Sequence, residues 1–78
     1  MKTMTCKQLG GACEEAFTAQ TFAEIAELSK QHGMAMFQKQ DAAHLEAMEN
    51  MKSLMQDPAA MQAWFEGKKQ AFEALPED

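Results

Sequence analysis

Residues 1–20 read MKTMTCKQLGGACEEAFTAQ, and this stretch decides the fold class. Met1 to Cys6 alternates loosely, with threonines at 3 and 5 and the larger apolar groups Met4 and Cys6 at 4 and 6. Gly10-Gly11 marks a turn, because glycine enters backbone conformations that other residues avoid. An extended pattern resumes at Glu15 and runs through Phe17, Thr18 and Ala19 to Gln20. Two short runs around a glycine pair predict a β-hairpin over 1–20, with a loop longer than the tightest class. The rest reads as helix, so the expected class is α+β: an N-terminal β-hairpin packed on a three-helix arrangement in a single small domain.

Thr21 followed by Glu24 is a capping-box pattern, in which each side chain satisfies a backbone N–H of the other. Phe22, Ile25, Ala26, Leu28 and Ser29 then form one stripe at helical spacing. Gly33 suits the position just past a helix end, where the left-handed conformation is common. The first helix is therefore predicted over 22–32. Met34, Phe37, Asp41, His44, Met48, Met51 and Met55 recur every three or four residues, which predicts helix over 34–56. Asp41 interrupts that segment as the cap of a fresh start at Ala42. Asp57-Pro58 is a second strong start signal, opening a helix over 58–75. Met61, Trp64, Phe65, Phe72 and Leu75 share one side of it, and 76–78 is expected as a frayed tail. The methionine stripe reads as core, since methionine fills irregular gaps. Residues 34–75 carry most of the methionine and aromatic weight and are expected to form a helical base, on which a thinly packed 1–33 rests.

Composition narrows the function classes. At 78 residues one domain is expected. A chain of this size buries only roughly 60% of its unfolded surface, so a metal, a disulfide or a partner chain is a natural source of extra stability. Twelve acidic against seven basic residues, a net charge of -5, argue against nucleic-acid or anionic-lipid binding. No apolar run approaches the ~20 residues of a membrane helix. Residues 1–6 hold no apolar signal-peptide core, so a cytoplasmic location is expected. In a reducing compartment, two cysteines are more often metal ligands or redox thiols than a structural disulfide.

Cys6 and Cys13 are separated by six residues that include the glycine pair. A hairpin loop of this kind brings both thiols to one end, where two thiolates can share a zinc ion at Zn–S distances of about 2.3 Å. The spacer exceeds the two to four residues of ordinary zinc knuckles. His32 continues the stripe of Ile25 and Leu28, and His44 lies on the apolar seam of the next helix. The chain has two cysteines and two histidines in all, which makes one tetrahedral zinc set with no donor of either kind left over. Mixed sulfur and nitrogen ligation also admits iron or copper by residue type. Other readings stand beside this one. The cysteines also fit as small buried hydrophobes or as a disulfide across the loop. His32 also fits as a cation favoured by the negative end of a helix, and His44 as a histidine at the core edge.

The pattern Met-Lys-Thr-x-x-Cys-x-x-Leu-Gly-x-x-Cys at 1–13, with Thr21-x-x-Glu24 opening a helix that ends in His32-Gly33, resembles a family of short microbial proteins described as predicted small metal-binding proteins. The resemblance covers residues 1–33. It implies Cys6, Cys13 and His32 as ligands and implies no enzymatic activity. The family usually has a further histidine one turn before the His-Gly pair, where this chain has Leu28. His44 is the candidate for the fourth ligand, with Asp41 or a water as the alternatives.

The function expected is a small zinc-binding protein with a structural site, acting as a binding or adaptor module and not as an enzyme. The alternative is a metal-free helical interaction module that dimerises through a methionine and aromatic surface including Trp64, Phe65 and Phe72. The partner expected is another protein or a second copy of the chain. A thiol enzyme has little support: there is no Cys-x-x-Cys pair, and no acid is evident behind a histidine base.

Overall fold

The computed structural model describes residues 1–78. Strands β1 (Lys2–Thr5) and β2 (Ala16–Ala19) pair antiparallel, with Met4 opposite Phe17 and Thr3 opposite Thr18. The period of two turns Met4, Phe17 and Ala19 inward. The Thr3 and Thr18 hydroxyls bond across the outer face at 2.9 Å. Helices α1 (Phe22–Lys39), α2 (Ala42–Met55) and α3 (Pro58–Ala74) follow. The class is thus α+β, a two-stranded hairpin with three helices. No helix is long and apolar enough to cross a membrane.

Each helix starts where a side-chain oxygen accepts an orphan backbone N–H. Thr21 Oγ1 accepts from Glu24 N at 3.2 Å, and Asp41 Oδ2 from His44 N at 3.1 Å. Asp57 Oδ1 accepts from the N–H groups of Ala59 and Ala60, with Pro58 in the first turn. The capping box at Thr21 is only half formed. The Glu24 carboxylate takes the Thr21 hydroxyl at 3.1 Å, not the Thr21 backbone N–H.

The first two helices divide differently from the expected 22–32 and 34–56. Gly33 does not end α1, which runs six residues further to Lys39. The stop lies at Gln40, whose φ of 60° is left-handed. Its N–H donates to Phe37 O, and Asp41 N–H donates to Met36 O. This Schellman pair satisfies the last carbonyls of the helix. Glycine inside a helix costs about 1 kcal/mol relative to alanine, too little to break a helix that is well closed further on.

The apolar weight also sits elsewhere than expected. The molecule measures 33 × 29 × 15 Å, so it is too thin to enclose many side chains, and nine residues are buried. The core is Met4, Cys6, Leu9, Phe17, Ala19, Phe22, Ile25 and Phe72. All but Phe72 precede residue 26, so the hairpin and the start of α1 carry the core, not the later helices. Met34 and Met55 are exposed, while Met48 and Met51 are half-buried. The methionine stripe therefore belongs largely to the surface. Phe72 packs on Phe22 at 5.9 Å between centroids, beside Phe65 at 5.1 Å. A buried Phe72 cannot form part of a dimer surface. The tail is not frayed: Asp78 N–H donates to the Met1 carbonyl at 2.7 Å, and Thr3 Oγ1 donates to the Asp78 carboxylate.

Candidate metal centre

Cys6 directly follows β1, and its backbone N–H donates to Glu15 O at 2.7 Å. The chain then turns through a short 3-10 segment, Lys7–Leu9. The Cys6 carbonyl accepts from both Leu9 N at 3.0 Å and Gly11 N at 2.8 Å. Lys7 N–H reaches forward to the Cys13 carbonyl at 2.9 Å, which draws the second cysteine back beside the first. The two glycines do different work. Gly10 supplies a left-handed φ of 90°. Gly11 supplies space: a Cβ there would lie 3.0 Å from the Cys6 carbonyl oxygen and run into Cys6 Sγ.

The helices bring up the other two donors. His32, on α1, places Nε2 at 3.2 Å from Cys13 Sγ. His44, in the first turn of α2, places Nε2 at 3.6 Å from Cys6 Sγ. One ligand atom from each of Cys6, Cys13, His32 and His44 lies within 4.8 Å of every other. For tetrahedral zinc with bonds of about 2.0–2.3 Å, neighbouring donors sit about 3.3–3.8 Å apart. The two sulfur–nitrogen separations already approach that edge length. Cys6 and His44 are buried, whereas Cys13 and His32 are half-buried. Both cysteines are free thiols.

Ring orientation favours coordination. Asp41 Oδ2 lies 2.6 Å from His44 Nδ1, so Nδ1–H donates to the carboxylate and Nε2 keeps its lone pair toward the sulfurs. This is the carboxylate–histidine arrangement that orients metal-bound imidazoles. The His44 ring, with its backbone N–H, holds the Asp41 carboxyl below its ordinary value. The His32 ring stands edge-on to His44 at 5.2 Å and to Phe17 at 5.6 Å, which fixes its plane. Burial raises the Cys6 thiol above its ordinary value; the backbone N–H groups of Cys13 and Ala12 oppose that rise, and the Cys13 thiol adds to it. Donors aimed at sulfur favour the thiolate that a metal needs.

All four residues singled out in the sequence meet in one place. Asp41, considered there as a ligand, instead stands behind His44. Its position three residues before His44, at a helix start, is the signal that marks it as the ring's hydrogen-bond partner. A cleft of about 110 Å³, bordered by Gly10, Gly11, Met48 and Met51, adjoins the donors. No family model, curated protein or solved structure matches the chain.

Proposed function

We propose that this protein is a small zinc-binding module with a structural site, in which Cys6 Sγ, Cys13 Sγ, His32 Nε2 and His44 Nε2 are the four ligands. The observation that carries this reading is the convergence of four donor atoms from three segments, with the Asp41 carboxylate on the far nitrogen of one of them. Zinc is the metal proposed because two thiolates and two imidazoles suit its tetrahedral preference. Four protein ligands leave no open position for substrate, which favours a structural over a catalytic role. The site would tie the Cys6–Glu15 loop to α1 and α2. Such ties contribute apparent free energies on the order of 10 kcal/mol in zinc-finger peptides. A fold with nine buried residues has much to gain from that.

Elemental analysis of protein purified under reducing conditions tests the reading. The expected result is one zinc per chain, with loss of far-UV circular dichroism and a lowered Tm on chelation. Absence of stoichiometric metal, together with a spectrum unchanged by chelator, would overturn it.

A further inference from the structure

The pairing of α1 with α2 leaves an open apolar groove that shares Gly33 and Met48 with the donor cleft. It consists of two adjoining hollows of about 350 and 450 Å³, both lined by Phe37 and Met48, with Met34 in the first and Leu45 in the second. Phe37 and Met34 are each 56% exposed and line the same hollow, and adjoining exposed apolar side chains mark an interaction surface. Lys30 lies at one end and Lys52 at the other. Neither lysine has a carboxylate within ion-pair distance; the ion pairs of this chain are Met1 with Glu77 and His44 with Asp41. Glu49 shares the Lys52 end, so the rim is mixed there and basic at Lys30. In a chain of net charge -5, this groove stands out because its lysines outnumber its acids, two against one.

We propose that this groove is a docking site for an amphipathic helix of a partner protein, with large apolar anchors flanked by carboxylates. A groove between two helices takes anchors spaced i, i+3, i+4 and i+7 along one helix face. The flexible thioethers of Met34 and Met48 can adapt to the shape of those anchors. Lys30 and Lys52 would meet the flanking carboxylates and set orientation and association rate more than raw affinity. A second copy docked through the same groove fits less well, because it brings its own Lys30 and Lys52 to the contact. An anionic membrane fits less well because it is flat and repelled by the rest of the chain.

The test uses two labelled synthetic helices with identical leucine anchors, one flanked by glutamates and one by lysines, in fluorescence anisotropy. The glutamate peptide should bind saturably and at least about tenfold tighter than the lysine peptide, with the margin shrinking as salt rises. Lys30→Glu with Lys52→Glu should reverse that order. Phe37→Glu, at an exposed position, should abolish binding of both peptides with circular dichroism unchanged. Equal or absent binding of the two peptides, or no response to the lysine variants, would overturn the proposal. A concentration-dependent dimer dispersed by Phe37→Glu would overturn it in favour of a self-interface. Lysine-dependent binding to phosphatidylglycerol vesicles in place of either peptide would overturn it in favour of lipid.

Discussion

The carboxylate of Asp41 meets His44 twice, at the backbone N–H and at ring Nδ1. Asparagine caps helices about as well as aspartate but carries no charge. Asp41→Asn should therefore keep α2 intact while lowering zinc affinity about 10- to 100-fold, read by competition with a chromophoric chelator. Asp41 also gives the fold an acid limb. Its folded carboxyl lies below the ordinary value of 3.8. The folded state thus binds that proton less tightly than the unfolded chain does, and the stabilisation is present above about pH 4. It is lost as pH falls through the lower folded value. Urea denaturation of metal-free protein should show the gap between wild type and Asp41→Asn closing across that acid range. The four candidate donors were legible from residue type, because the chain holds only two cysteines and two histidines. The part played by Asp41 was legible only in part: its place three residues before His44 puts it within reach of the ring, but which nitrogen it meets depends on how the imidazole turns.

Among the helices, the starts were readable and one of the stops was not. Thr21, Asp41 and Asp57 each act through a bond to a backbone N–H two or three residues on, so the signal is local. Gly33 suggested a stop by the same kind of local reasoning, yet it has no positive φ and lies inside α1. The true stop uses Gln40, a residue type with no left-handed signature. Gly33→Ala separates the two geometries. A helix end at Gly33 would make alanine destabilising. In the observed helix the new Cβ meets only the Met48 methyl at 3.9 Å, an ordinary contact. The variant should therefore be more stable by about 0.5–1 kcal/mol in urea denaturation, with metal content unchanged.

Across the whole molecule, the donors at 6, 13, 32 and 44 lie on a continuous stretch that ends before α3. Helix α3 is held by Phe72 and Phe65 on Phe22, by Lys2 Nζ on the Glu73 carbonyl at 2.7 Å, and by the tail. Hydrogen exchange should follow this division. With zinc bound, amides of α3 should exchange before those around His32 and His44, and chelation should narrow the difference by releasing α2. The location of the core could not be read from composition. A methionine at helical spacing is buried only if another element covers that face, and a body 15 Å thick leaves many faces uncovered. The hydrogen bond from Asp78 to Met1 has a separate consequence. Residues 1 and 78 are neighbours in space, so the backbone is nearly a closed ring. A short linker joining them, with the chain reopened between Gln56 and Asp57, would move α3 to the front of the polypeptide. The permuted order would keep every donor in its original succession and Asp57 beside the helix it caps. Such a circular permutant should bind zinc at the stoichiometry of its parent, measured by native mass spectrometry.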